Sequence, residues 1–138
     1  MKDTLAFQIA YLYKDFLAFV NKELKDRDIS RGQVPFILYI GKHEGCTPSQ
    51  LTKDMKMDWG HSQRSITRLV DQELIIKQSE GENKRNYHLS LTEKGKDIFE
   101  LCHQMFKDWD ALCFASMSEQ SKSLILKQLK ELIQTLEA

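Results

Sequence analysis

The stretch WGHSQRSITRLVDQE (59–73) carries polar side chains at helical spacing. Arg64 and Arg68 are four residues apart, so on a helix they are neighbours on one face. Arginine can donate two hydrogen bonds to a guanine edge, and glutamine can pair in the same way with adenine. Ile66 and Leu69 would turn inward. The opposite face then carries Gly60, His61, Gln63, Arg64, Thr67 and Arg68. This pattern is typical of a helix that reads the DNA major groove, although a solvated helix face has a similar composition.

A second basic feature is the pair Lys84-Arg85, within the polar stretch EGENKRN (80–86). From the tip of a turn these cations could reach a phosphate or enter a narrow minor groove, which attracts arginine. The alternative is a loop that is polar because it is exposed, since Glu80 and Glu82 dilute the positive charge. We treat Lys84 and Arg85 as candidate DNA contacts.

No catalytic constellation is visible in the sequence. There is no nucleophile-elbow motif and no glycine loop that could cradle phosphates, and the chain has six glycines in all. The sequence therefore predicts a protein that is not an enzyme and that carries no cofactor.

The cysteines and histidines show no metal-ligand spacing, so no metal is expected. On one helix, Cys102 and Cys113 would lie about 16 Å apart, too far for a disulfide, which favours a reducing cytoplasmic setting. Cys46 precedes the candidate DNA-reading segment and is a candidate reactive thiol, although no adjacent cations mark it as a thiolate. The histidines outside the polar face are His43, His88 and His103.

Twenty acidic and twenty basic residues give a net charge of zero. Since a nucleic-acid-binding domain is usually basic, the cations must be clustered if they are to contact phosphate. A length of 138 residues suits one domain with its own core. No apolar run approaches the roughly 18 to 20 residues of a membrane span, and the N-terminus does not resemble a signal peptide.

Two short helices position the polar face. Thr47-Pro48-Ser49-Gln50 is a helix start, with a threonine cap, proline at the first position and glutamine at the third. Lys56-Met57 makes a turn, and Asp58 caps a helix that runs to about Gln72. Helices joined in this way form a helix-turn-helix. Three side chains at the first helix start are further candidate DNA contacts: Thr47, Ser49 and Gln50.

A β-hairpin is predicted directly after the helix-turn-helix. Leu74–Lys77 is short, aliphatic and β-branched, and a polar, glycine-containing turn separates it from the alternating stretch Tyr87–Leu91. A hairpin in this place makes a winged helix. The predicted fold class is mainly α with a small β-hairpin wing (α+β).

Amphipathic helices flank the winged helix. Residues 4–25 repeat apolar side chains every three or four positions, and Thr92 and Ser118 begin two helices with similar stripes. Ser30-Arg31-Gly32-Gln33 fits a capping box for a helix to Lys42, with Pro35 one turn inside it. The apolar faces of the N- and C-terminal helices are wider than so small a domain can bury by itself. This predicts a two-fold dimer in which they pack against a second copy.

The sequence resembles the MarR family (multiple antibiotic resistance regulators) over nearly its whole length. The resemblance is carried by LTKDMKMDWGHSQRSITRLVDQELI (51–75), by Asn83-Lys84-Arg85 and by LSLTEKG (89–95). It implies one domain, 1–138, in which 1–29 and 96–138 are dimerisation helices and 30–95 is the DNA-binding lobe. It also implies a cytoplasmic homodimeric repressor that leaves a palindromic double-stranded operator when a small molecule binds.

The resemblance also assigns roles to individual residues. Arg64 matches a DNA-contacting arginine of the family, and Arg85 matches its wing arginine. A ligand would bind where the dimer region meets the DNA lobe. The candidates there are Tyr11, Phe36, Tyr39, His43 and Phe106.

Two positions depart from the family pattern. Asn83 replaces an aspartate that would brace Arg85 by an ion pair. Glu73 replaces a glycine, so a left-handed helix end there would cost roughly 1 to 2 kcal/mol. Two alternatives stay open at this point: a winged-helix protein-interaction module that does not bind DNA, and a metal- or thiol-responsive sensor of the same fold.

Overall fold

The protein is described by a computed structural model, which covers residues 1–79 and 87–138. Its helices are α1 (Leu5–Glu23), α2 (Val34–Lys42), α3 (Pro48–Asp54), α4 (Trp59–Asp71), α5 (Glu93–Cys113) and α6 (Glu119–Glu137). Its strands are β1 (Ile75–Ser79) and β2 (Tyr87–Leu91). The chain forms two compact units, Met1–Met105 and Phe106–Ala138. The mainly α architecture with one two-stranded hairpin confirms the predicted fold class.

Side-chain caps form at the predicted helix starts. At α3 the Gln50 N–H donates to Thr47 Oγ1 at 3.1 Å, and the Thr47 N–H donates to Gln50 Oε1 at 2.9 Å. At α6 the Ser121 N–H donates to Ser118 Oγ at 3.1 Å. Because N–H groups in the first turn have no acceptor within their helix, these bonds define where each helix begins.

The start of α2 differs from the sequence prediction. The Ser30 N–H donates to Gln33 Oε1 at 3.0 Å, as a capping box requires. A 3-10 turn at Arg31–Gln33 follows, and the α-helix begins only at Val34. Pro35 therefore lies in the first turn of α2, and the prediction that it lies one turn inside the helix was wrong. Its missing N–H removes no helical hydrogen bond.

The core of the first unit joins α2, the helix-turn-helix and the hairpin. Phe36, Ile37 and Ile40 of α2 are fully buried. The buried residues that pack with them from the other elements include Val20, Leu51, Ile66, Leu69, Leu74, Ile75, Leu89, Cys102 and Met105. The winged helix thus has a continuous apolar core of its own, which holds the polar faces of its helices in place.

The hairpin is attached to the lobe through its second strand. β1 and β2 pair antiparallel, with Ile75 opposite Leu91. On its other edge, Leu89 forms a bridge to Cys46: the Leu89 N–H donates to Cys46 O and the Gly45 N–H donates to Leu89 O, both at 2.8 Å. Leu89 itself is fully buried. These two hydrogen bonds attach the base of the wing to the loop before α3.

α4 ends in a left-handed residue. Glu73 has φ 61°, which is the conformation expected from the family pattern. The Leu74 N–H donates to Leu69 O at 3.0 Å and the Glu73 N–H donates to Val70 O at 2.9 Å. These two bonds are those of a Schellman motif, in which glycine is the usual left-handed residue.

α5 begins against this end of α4. Thr92 Oγ1 accepts the Gly95 N–H at 3.0 Å and donates to Glu73 O at 2.6 Å. A Cβ at Gly95 would overlap the carbonyl oxygen of Leu74. Glycine is required there by the close approach of two backbone segments, which gives the LSLTEKG sequence a structural reason.

Apolar side chains are exposed on the two terminal helices, each considered by itself. On α1 they include Leu5, Ile9 and Leu12, and on α6 they include Leu124, Leu126, Leu129, Leu132, Ile133 and Leu136. No described helix is long and apolar enough to cross a membrane. The dimerisation role of these helices and the bounds of the DNA-binding lobe stay predictions.

Candidate nucleic-acid interface

A tight turn sets α4 beside α3. Lys56 lies in the left-handed region with φ 52°, and the Met57 N–H donates to Thr52 O at 3.1 Å. Asp58 then caps α4, because its carboxylate accepts the N–H groups of Gly60 and His61 at 3.1 and 3.0 Å. The predicted helix-turn-helix is therefore present at the predicted residues.

A buried hydroxyl pair holds α3 against α4. Thr52 Oγ1 lies 2.7 Å from Pro48 O and 2.6 Å from Ser62 Oγ. Since a carbonyl oxygen can only accept, the Thr52 hydroxyl donates to Pro48 O, and the Ser62 hydroxyl must donate to Thr52. Ser62 is fully buried. The pair therefore satisfies two polar groups in the core and joins α3 to α4.

The two faces of α4 differ in burial as its sequence predicts. Ser62, Ile66 and Leu69 are buried. Four predicted DNA-contacting residues are exposed on the helix, namely His61, Arg64, Thr67 and Arg68, whereas Gly60 and Gln63 are half-buried. The exposed set contains both arginines, so the helix presents positive charge and hydrogen-bond donors to solvent.

Arg64 lies close to the start of α4. A Cβ on Gly60 would come within 3.2 Å of Arg64 Nη1, so the guanidinium lies over the glycine one turn earlier. The pKa of Asp58 is lowered, chiefly by the hydrogen bonds from the His61 and Gly60 N–H groups and further by the charge of Arg64. Asp58 is therefore ionised at neutral pH, and its charge attracts Arg64 toward the N-terminal turn.

Gln63 is the least accessible of the predicted base-reading side chains. Its Nε2 atom is buried and has no hydrogen-bond partner among the residues that the structure describes. A buried amide nitrogen without an acceptor is unfavourable. To donate a hydrogen bond to a base, Gln63 Nε2 must therefore first become exposed.

The candidates at the start of α3 are arranged differently. Thr47 and Gln50 hydrogen-bond each other's backbone in the capping box, while Ser49 is exposed. The capping bonds use Thr47 Oγ1 and Gln50 Oε1 as acceptors, which leaves the amide group of Gln50 as a donor. This donor and the Ser49 hydroxyl are the groups of α3 that suit a phosphate.

Comparison with known proteins gives this arrangement a family. A family model described as a winged helix-turn-helix matches residues 34–109. The HTH-type transcriptional regulator BilQ of Clostridium symbiosum is 33% identical over 138 residues, covering 100% of this chain and 96% of BilQ. A MarR transcriptional regulator from Methanosarcina mazei Go1 superimposes with a TM-score of 0.84 at 26% identity, covering 95% of this chain and 94% of that one. The chain belongs to the MarR family. Its relatives are transcriptional regulators, and the family is not one of enzymes.

A second similar structure was determined with DNA. Streptococcus pneumoniae FabT, in complex with DNA, has a TM-score of 0.84 and 28% identity, covering 94% of this chain and 93% of FabT. The fold shared with FabT therefore extends over nearly the whole chain.

The tip of the MarR wing lies outside the described residues, and so do Asn83, Lys84 and Arg85. The base of the wing carries a cation that the sequence prediction did not include. Lys77 Nζ lies 5.2 Å from the centre of the Tyr87 ring, on the opposite strand. A cation held over an aromatic face is partly fixed in position.

Of the predicted ligand-binding residues, the structure brings Tyr39 and His43 together. Their rings stack at 4.2 Å, and the Tyr39 hydroxyl donates to Asp54 Oδ2 at 2.6 Å. Burial and the Asp54 carboxylate raise the pKa of Tyr39 to about 12, so the phenol is neutral. They line a depression of about 480 Å³ whose other residues are Glu44, Gly45, Cys46, Gln50, Lys53 and Asp54.

The remaining ligand candidates lie elsewhere. Phe36 is fully buried in the core and has no surface to offer a ligand in this conformation. Tyr11 is exposed on α1. Phe106 is exposed and belongs to the second unit, 106–138. These three stay candidates from the family resemblance alone.

Cys46 is not the exposed thiol that its loop position suggested. It is 6% exposed because its backbone pairs with Leu89, and burial raises the pKa of its thiol to about 11. Burial also raises the pKa of Cys102 to about 11. Within residues 1–79 and 87–138, no three His, Cys, Asp or Glu side chains are grouped so that they could hold a metal ion.

Proposed function

We propose that this MarR-family chain is a dimeric repressor that binds a palindromic DNA operator and leaves it when a small molecule binds. The observation that carries DNA binding is the exposure of Arg64, Thr67 and Arg68 opposite the buried side of α4. The similarity to FabT, which was determined in complex with DNA, supports the same conclusion.

In this proposal α4 lies in the major groove. With 13 residues, the helix is about 20 Å long, and a B-DNA major groove about 12 Å wide admits a helix. Arg64 and Arg68 would contact guanine edges or phosphates. Lys84 and Arg85, which the sequence predicts at the wing tip, would contact the minor groove or the flanking phosphates. The protein would act in the cytoplasm, in contact with the DNA that it regulates.

The dimer is supported by the apolar residues of the terminal helices. Leu132 and Ile133 are 43% and 55% exposed on α6, and Leu5 and Ile9 are 52% and 47% exposed on α1. Contiguous exposed apolar residues favour an interface. A two-fold pair of winged helices reads two half-sites of opposite direction, which is why the operator should be palindromic.

The effector site is proposed at the depression beside Tyr39 and His43. Its volume of about 480 Å³ falls within the range of small-molecule sites. The stacked rings form a flat wall, and Lys53 and Asp54 supply charged groups at its edge. The depression touches Gln50 of α3, so a ligand there would contact the helix-turn-helix directly.

The test of DNA binding begins with duplexes selected by the protein from a random pool. Arg64→Ala should weaken binding to the selected operator by about 1 to 3 kcal/mol and relax the base preference, because one bidentate donor is lost. Fluorescence anisotropy at fixed salt measures the affinity. Arg27→Ala removes an arginine between α1 and α2 and serves as the control. Equal affinity for wild type and Arg64→Ala would contradict the proposal, and a failure to select any DNA would favour a protein-interaction module.

A further inference from the structure

A chain of hydrogen bonds joins the end of α4 to the segment that follows α1. Gln33 Nε2 donates to Gln72 Oε1 at 2.5 Å, and Gln72 Nε2 donates to Asp28 O at 2.6 Å. Gln33 Oε1 accepts the Ser30 N–H at 3.0 Å. The two glutamines therefore connect residues that lie 39 and 44 positions apart in the sequence.

The orientation of both amides is determined by their outer partners. Asp28 O can only accept, so the nitrogen of Gln72 must face it and the oxygen of Gln72 must face Gln33. The Ser30 N–H can only donate, so the oxygen of Gln33 faces it and the nitrogen of Gln33 faces Gln72. Asp28 O and the Ser30 N–H thus both require that Gln33 Nε2 donates to Gln72 Oε1. The hydrogen bond between the two glutamines therefore has only one possible direction.

The pair is protected from water on the Gln33 side. Gln33 is 4% exposed, so its amide cannot exchange its partner for solvent without opening the structure. A buried amide left without its partner costs more than the hydrogen bond itself contributes, so the bond is retained as long as the lobe is folded.

The same end of α4 is also joined to α5. Lys94 Nζ donates to Gln72 O at 3.2 Å, and Thr92 Oγ1 donates to Glu73 O. The predicted base-reading residues lie on the first three turns of α4, and Gln72 follows its last turn. A helix is a stiff element, so a displacement at Gln72 changes the direction in which Arg64 and Arg68 point.

We propose that Gln33 and Gln72 are positioning residues for the recognition helix: they fix α4 to the segment between α1 and α2, so that α4 follows any movement of that segment. The inference rests on the proposed role of α4 in DNA binding. Neither glutamine needs to contact DNA. Loss of their hydrogen bonds should lower the ratio of the affinity for the operator to the affinity for unrelated DNA.

The test compares operator with unrelated duplex for the full-length protein. Gln72→Met keeps the side-chain length but removes both hydrogen bonds. It should lower the ratio of operator to unrelated affinity roughly 3- to 30-fold, the range of coupling through contacts that touch no ligand. Binding to the unrelated duplex should stay unchanged, because phosphate contacts carry that affinity. Gln134→Met makes the same substitution at an exposed glutamine on the side of α6 opposite its apolar residues; it is the control and should keep the ratio.

A double-mutant cycle separates positioning from general destabilisation. Gln33→Met should cause a similar loss, and the double variant should be little worse than either single variant, because both remove one connection. If Gln72→Met does not fold, Gln72→Glu replaces it: this variant keeps an acceptor for Gln33 but sets a carboxylate against Asp28 O, and it should lower the ratio in the same direction.

Two results would overturn the inference. The first is that the Gln72 variant keeps a ratio of operator affinity to unrelated affinity within twofold of wild type, whatever its melting temperature. The other is a double variant whose loss is the product of the single losses. Arg64→Ala measured beside them distinguishes the causes: if it weakens operator binding while Gln72 variants do not, the DNA-binding proposal stands and the positioning role fails.

Discussion

At the scale of single residues, Glu73 holds a backbone conformation that L-amino acids adopt at a cost. Its φ of 61° places Cβ close to the following carbonyl, which costs roughly 1 to 2 kcal/mol relative to a right-handed conformation. The Schellman bonds from Leu74 and Glu73 and the Thr92 hydroxyl hold the residue there. The family pattern predicted this position, since a glycine normally occupies it.

Glu73→Gly should therefore stabilise the protein. The relief of the left-handed cost is partly offset by the greater entropy of glycine in the unfolded chain, so we expect a gain of about 0.5 to 1 kcal/mol. Urea unfolding at fixed protein concentration measures it. Glu73→Ala keeps a Cβ and should remain near wild type. A glycine variant no more stable than the alanine variant would show that Glu73 is not strained.

The two buried thiols show how burial changes the pKa of a single side chain. Burial raises the pKa of Cys46 from 9.0 to about 11, and the same cause raises that of Cys102 to about 11. The folded state therefore favours the neutral thiol. This contribution to stability is present below pH 9 and is lost as pH rises through 11.

Cys46 should react slowly in the native protein. At pH 8 a rise of two pKa units lowers the thiolate fraction about 100-fold, and iodoacetamide attacks through the thiolate. Alkylation followed by peptide mass spectrometry should show Cys46 modified at least about 100 times more slowly than in urea. If Cys46 in the native protein is alkylated as fast as in urea, the thiol-responsive sensor again becomes an alternative.

At the scale of elements, three hydrogen bonds of Thr92 hold the junction between α4, the hairpin and α5 together. Thr92 bonds both Glu73 and Gly95, and the Thr92 N–H donates to Leu74 O at 3.0 Å. The sequence LTEKG predicted a helix start here. The reason for glycine at position 95 is the adjacent Leu74 carbonyl, a partner 21 positions earlier that local pattern does not reveal.

Gly95→Ala should destabilise the first unit. The added Cβ overlaps the backbone of Leu74, which cannot move as a side chain can, so we expect a loss of about 1 to 3 kcal/mol. Gly32→Ala is the matched control, because the nearest atom to its Cβ would be Ser30 Oγ at 4.0 Å. Urea unfolding compares the two. Similar stabilities for both variants would contradict the close approach at Gly95.

At the scale of the whole molecule, a protein with no net charge is proposed to bind a polyanion. Twenty acidic residues balance twenty basic ones, so attraction to DNA must come from local clusters such as Arg64 and Arg68. Binding should accordingly fall steeply with salt. Two lobes acting together raise the affinity beyond that of one, which makes dimerisation part of DNA binding.

Ile133→Glu should therefore weaken both association and operator binding. Ile133 is 55% exposed among apolar neighbours on α6, and a charge there would be buried in the proposed interface. We expect the dimer dissociation constant to rise at least about tenfold, measured by light scattering across a dilution series. Gln134→Glu adds the same charge at the next residue and is the control. A variant that stays fully dimeric would remove α6 from the interface.

Much of the architecture was determined by local sequence. The capping residues Thr47, Asp58 and Ser118 act on N–H groups two or three positions away, so their pattern alone locates the helix starts. Apolar spacing located the buried face of α4, and the resemblance named the family. The start of α2 was misjudged because the predicted capping box of Ser30 and Gln33 forms at the start of a 3-10 turn, and the local pattern does not distinguish that turn from the first turn of an α-helix.

Only the tertiary structure decided what depends on distant partners. Cys46 is buried by its bridge to Leu89, Ser62 is satisfied by Thr52, and Gln72 is held by Gln33. No local sequence pattern predicts such pairs, because the two partners are distant in the sequence and come together only on folding. Their interaction stabilises the protein because water is excluded around them. The sequence by itself determined the elements and the polar face of the recognition helix, and the tertiary structure decided how that helix is held.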